Sequence, residues 1–151
     1  MCPAQDNDLG ALTKSFLSVP PQDAAAGTIN GLGMQRESVT PAFETVLLEV
    51  AVGAPSGTPT SYTVNGKLQD SADGTNFADI TAAPYTSGVN APAITTSGTN
   101  GTLSVVFANL RTLRAYVRAV VTVSFTGGTS PTVPVSSTLV FGGPDQRPAG
   151  P

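Results

Sequence analysis

Three aspartates, Asp70, Asp73 and Asp79, fall close together in LQDSADGTNFADI. Carboxylate oxygens at that density are what a hard cation such as calcium takes as ligands. The stretch lacks the DxDxDG register and closing glutamate of a calcium loop, and a plainer structural reading fits it. Ser71-Ala72-Asp73-Gly74 puts glycine where a tight turn needs positive φ, with an aspartate before it to bond the local backbone. A second cluster, Arg111, Arg114 and Arg118, holds three of the seven positive charges. It reads either as a patch for an anion or acidic partner, or as a strand edge charged against unwanted pairing. Glu44 and Glu49 sit five apart on one strand pattern and so face opposite ways. That strand alone cannot supply the facing carboxylate pair of a glycosidase.

Other chemistry is removed by what is missing. The chain has no histidine and no tryptophan, and one cysteine, Cys2. Without histidine there is no Ser-His-Asp or Cys-His pair, and the commonest metal ligand is gone. One cysteine forms neither an internal disulfide nor a multi-cysteine metal site. The expectation is a protein that catalyses nothing and needs no cofactor or metal.

The elements that position these residues alternate with period 2. Phe43 to Val52 sets Val46, Leu48 and Val50 against Thr45, Leu47 and Glu49. Tyr62 to Gln69, Leu103 to Ala108, Tyr116 to Phe125 and Val133 to Phe141 follow the same rule. In the last of these, Val140 shares a phase with Pro134, Ser136 and Thr138. Gly-, Pro-, Ser- and Thr-rich connections lie between. The pattern predicts an all-β sandwich or jelly roll. Its expected core includes Val46, Leu48, Val64, Leu68, Phe77, Val105, Phe107, Val117, Val121 and Val123. The stretch Leu103 to Val120 also fits helical spacing. Strand, turn, strand is preferred, because β-branched residues dominate after Tyr116 and Asn109 to Arg114 offers a polar break.

A chain of 151 residues suits one domain with a real core. Charged residues are 11%, against roughly a quarter in ordinary soluble domains. The surface must then be rich in hydroxyls, glycine and apolar atoms, as in a subunit with large covered faces or a solvated β-domain. Net charge is −3, and there is no basic stripe to neutralise phosphates, so a nucleic-acid partner is not expected. No apolar run reaches the roughly 20 residues of a membrane span. The N-terminus shows no basic region leading into an apolar one, so the chain is expected in the cytoplasm of the cell that makes it, or exported without a signal peptide.

The organisation expected is an N-terminal arm over residues 1–40, a β-sandwich over 41–142, and a Pro/Gly-rich tail over 143–151. The arm holds Pro20-Pro21 and the apolar residues Phe16, Leu17, Val19, Ile29 and Leu32. These five, with Arg111, Arg114 and Arg118, are the candidate partner-binding residues. Deleting residues 1–35 is expected to leave a folded sandwich.

Two resemblances follow from these strings. LQDSADGTNF followed by LRAYVRAVV resembles the strand pairing of galactose-binding-like, discoidin-type jelly rolls, with Phe77 where those domains usually carry tryptophan. That resemblance implies a carbohydrate-binding module, with Tyr85 as the aromatic platform. The wider stretch from Tyr62 to Gly143, with RAYVRAVVTVSFTGGTSP and the closing SSTLVFGGP, resembles the decoration or cement proteins of tailed bacteriophages. It implies a homo-oligomer (a dimer or trimer) on the capsid surface of the virion. There it would bridge major capsid protein subunits, its arm lying along neighbours.

Overall fold

The computed structural model describes residues 13–36, 43–80, 89–90 and 101–144, with side chains described over 13–36, 43–80 and 108–143. Among them lie ten strands: β1 (Thr13–Ala24), β2 (Gly27–Asn30), β3 (Met34–Gln35), β4 (Phe43–Val52), β5 (Ser61–Ser71), β6 (Ala78–Asp79), β7 (Val89–Asn90), β8 (Gly101–Asn109), β9 (Tyr116–Thr126) and β10 (Val133–Pro144). One turn of 3-10 helix, Leu110–Thr112, separates β8 from β9. That turn falls in the predicted polar break, so the alternative helix over 109–121 does not form.

The strands make two antiparallel sheets, β1-β10-β4-β8 and β2-β9-β5-β6, with β3 also on β9 and β7 also on β5. β2 and β3 act as one interrupted strand along β9, and β6 and β7 share the same edge of β5. The chain is therefore wound like a folded hairpin. Its first strand pairs with its last, and pairing moves inward until β5 meets β6. This is the order of a jelly roll.

Inward-facing residues of both sheets build the core. Val46, Leu48, Val64, Leu68, Val117, Val121 and Val123 are buried there, as expected. Val19, Tyr62, Ile80, Leu139 and Phe141 complete it. Phe77 is half-buried and stands outside this cluster, with the Arg118 guanidinium 4.3 Å from its ring centre. The side chains of Val105 and Phe107 lie outside the described residues.

Residues 13–35, read from sequence as arm, instead form β1, β2 and β3 of the two sheets. β1 pairs with β10 from Thr13–Gly142 to Ala24–Val133. Its alternation is hidden because the register shifts twice, between Leu17 and Val19 and between Val19 and Gln22, around Pro20-Pro21. Proline donates no ladder hydrogen bond and is tolerated on an edge strand. β1 is such an edge. Gly143 and Pro144, read as tail, close β10.

Candidate interaction surfaces

The aspartate stretch folds as the turn its residue types predict. β5 runs into it and β6 leaves it, with Gln69 opposite Asp79. Gly74 adopts φ +73°. The Ser71 hydroxyl accepts from Gly74 N at 3.0 Å. Asp73 accepts from Thr75 N at 2.9 Å, from Asn76 N at 2.8 Å and from Asn76 Nδ2 at 2.7 Å. These bonds, those from Asn76 and Thr75 backbone N–H first, hold its carboxyl well below the usual carboxylate range.

The other two aspartates are engaged separately. Asp79 meets Lys67 Nζ at 2.7 Å and Gln69 Nε2 at 2.8 Å, and the Lys67 bond chiefly lowers its pKa. Asp70 is buried and accepts from Arg114 N at 3.0 Å and Arg114 Nε at 2.8 Å. Among the described residues no three acidic, cysteine or histidine side chains gather as a metal site.

The three arginines have likewise found partners within the chain. Arg111 pairs with Glu44 beside the 3-10 turn. Arg114 pins that turn's exit to Asp70 on β5. Arg118 donates to Gln69 Oε1 at 3.1 and 2.7 Å while stacking on Phe77, and burial lowers its pKa. An arginine over an aromatic face gains from the ring quadrupole. The group ties β9 to β5 and to the segment before β6.

The apolar candidates divide by exposure. Val19 lies wholly inside this chain's own core, and Phe16 and Ile29 pack against it half-buried. Leu17 and Leu32 are 44% and 60% exposed, the large exposed hydrophobic residues among those described. They are neighbours: Leu32 N donates to Ser18 O at 2.7 Å, and Ser18 Oγ donates to Leu32 O at 2.9 Å. Ser18 Oγ also accepts from Ala119 N at 3.0 Å. This buried hydroxyl stands in for the ladder where β2 gives way to β3, and it joins the two sheets. Gly31 is required there, since a Cβ would lie 2.3 Å from Ser18 Oγ. Sequence reading missed Ser18. The available signal was a lone hydroxyl between Leu17 and Val19, matched by the glycines around Leu32.

At one end of the sandwich, residues 53–60 and 127–132 bond to each other, with Ser56 N donating to Thr132 O at 2.8 Å and Thr129 N to Gly57 O at 3.0 Å. Neither segment carries a charge. An open recess of about 540 Å³ lies beside them, lined by Ala25, Ala26, Phe125 and Pro131. It offers no titratable group. Of the tyrosines, Tyr62 is buried, Tyr116 is half-buried against Gly74, and Tyr85 lies outside the described residues. Neither described tyrosine therefore stands open as a platform for a sugar.

No protein-family model matches the sequence, and no curated protein matches it. Solved structures do. The VP2 protein of infectious bursal disease virus, in its subviral particle, aligns at TM-score 0.50 and 10% identity, over 90% of this chain and 34% of VP2. The likeness is one of fold, a two-sheet antiparallel jelly roll. This jelly roll spans about a third of VP2. The SPBc2 prophage-derived protein YomS aligns at TM-score 0.40 and 18% identity, over 85% of this chain and 92% of YomS. A chain of the acid-stable capsid of Helicobacter pylori bacteriophage KHP30 aligns at 0.37 and 14%, over 86% and 93%.

Proposed function

We propose that this jelly roll is a non-catalytic structural subunit of a virus particle. More narrowly, it decorates the outer surface of a tailed-bacteriophage capsid and cements it by bridging major capsid protein subunits. The observation that supports the broader reading is the two-sheet jelly roll, which aligns over 90% of the chain with VP2 of a subviral particle. The chemistry of the described surface agrees with it. The aspartates and arginines that could have formed a reactive or metal-binding site are each spent on a local structural bond. The string similarity from Tyr62 to Gly143 supports the narrower reading. Of the apolar candidates, Leu17 and Leu32 are the best exposed to meet a partner.

The test adds purified protein to undecorated capsids and images the particles by electron cryo-microscopy. Stoichiometric density over the outer shell, with raised resistance of the particle to heat and salt, is the expected result. Bare capsids after incubation at micromolar concentrations overturn the decoration reading.

A further inference from the structure

We propose that Asp73-Gly74 is a latent site of backbone isomerisation to isoaspartate, held inert in the folded protein by bonds from Ser71 and Asn76. Nothing in this chemistry depends on the particle-subunit reading.

An aspartate followed by glycine is chemically unstable in a loose chain. The Gly74 nitrogen attacks the protonated Asp73 carboxyl at Cγ, since glycine has no Cβ to crowd the approach. The N–Cγ bond forms and a Cγ–O bond breaks. The oxygen leaves as water, with its own proton and the one from Gly74 N. Solvent water then opens the five-membered imide. Opening at the Asp73 main-chain carbonyl leaves the backbone running through Cγ, with the mass unchanged. The added methylene would disturb the hairpin that sets Gln69 against Asp79. Glycine is nevertheless demanded at 74, since φ is +73° and a Cβ would come within 3.0 Å of the Tyr116 ring.

Both reacting groups are held. Ser71 ends β5 and is wholly buried. Its hydroxyl accepts from Gly74 N at 3.0 Å and donates to Asp73 Oδ1 at 2.8 Å. One side chain thus binds the nucleophile by its N–H and the electrophile by its oxygen. Attack on Cγ needs the Gly74 peptide to rotate, and the bond to Ser71 resists that rotation. Oδ1 also accepts from Thr75 N and Asn76 N, and Oδ2 accepts from Asn76 Nδ2 at 2.7 Å. Bonds of this kind favour the ionised carboxylate, which has no hydroxyl to lose.

Two asparagine-glycine pairs among the described residues are open to the analogous loss of ammonia. Beside Asn30, Gly31 N donates to Ala119 O at 2.9 Å. Asn65-Gly66 lies in the middle of β5, opposite Thr122 and Val121 of β9. Main-chain pairing fixes both. At Asp73-Gly74 side chains do the fixing, so they can be removed with the sheet left intact.

The test incubates the full chain for weeks near neutral pH at physiological temperature. Isoaspartate at residue 73 is read by electron-transfer fragmentation of its peptide. The folded wild type should convert far more slowly than the same chain unfolded in guanidinium chloride, and equal rates overturn the proposal. Ser71→Ala should raise the folded rate about tenfold, the rate equivalent of one hydrogen bond. Asn76→Ala, at an exposed position, removes the bond to Oδ2 and should raise it severalfold. Deamidation at Asn30 and Asn65, read in the same digest, should stay at the wild-type rate in both variants. Variants that convert at residue 73 no faster than wild type overturn the proposal. A rise shared equally by all three sites also overturns it, because that is general loosening of the fold.

Discussion

Asp73 shows how a carboxylate that looks like a cation ligand can be committed to holding a turn. Backbone N–H groups of Thr75 and Asn76 converge on it, and the ionised form is the better acceptor. Its folded-state pKa is depressed below the ordinary 3.8. The unfolded chain therefore takes up the proton first as pH falls. The stabilisation is present above 3.8 and is lost as pH drops towards the folded value. Asp73→Asn removes the charge and leaves one oxygen acceptor. The wild-type melting temperature should exceed that of the variant near neutral pH, and the gap should close below about pH 4. Melting curves followed by circular dichroism at stepped pH check this. A gap that stays constant down to about pH 2 would show that the charge of Asp73 contributes nothing. The turn itself was legible, because serine, aspartate and glycine at those offsets have one low-energy arrangement. The partners of Arg114 and Arg118 were not, since Asp70 and Gln69 lie 44 and 49 residues away in the chain.

At the scale of elements, legibility followed uninterrupted alternation. β4, β5, β9 and β10 keep period 2 for 10 to 12 residues, and their inward sets were readable. β1 was not, because its bulges reset the phase at each proline-side step. β6 and β7 have two residues each, too few to show any period. The consequence for truncation is concrete. Removing residues 1–35 takes away an edge strand of each sheet, Val19 from the core and the Ser18 hydroxyl that joins them. Loss of one buried aliphatic side chain alone costs about 2 to 5 kcal/mol, a large share of the stability of an ordinary domain. Such a chain should fail to fold, shown by the absence of a cooperative thermal transition. A deletion of residues 1–12 should retain that transition. A cooperative transition in the longer deletion would mean that the remaining strands form a domain by themselves.

The whole molecule is held by its ends. β10 lies between β1 and β4, so residues 133–144 complete a sheet whose other strands come from much earlier in the chain. A chain stopped at residue 132 should expose the inner faces of β1 and β4 and bind a hydrophobic dye such as anilinonaphthalene sulfonate. Dye binding no greater than that of the whole protein would count against this dependence. The same winding acts in time. During synthesis the N-terminal strand emerges first and its partner last, with Thr13 waiting for Gly142. Pairings of such long sequence separation close slowly, on the order of milliseconds to seconds in β-sandwich domains. An unfinished chain thus has no native place for its own beginning. Translation that halts early leaves β1 and β4 without β10 between them, and only chains read through to residue 144 complete both sheets.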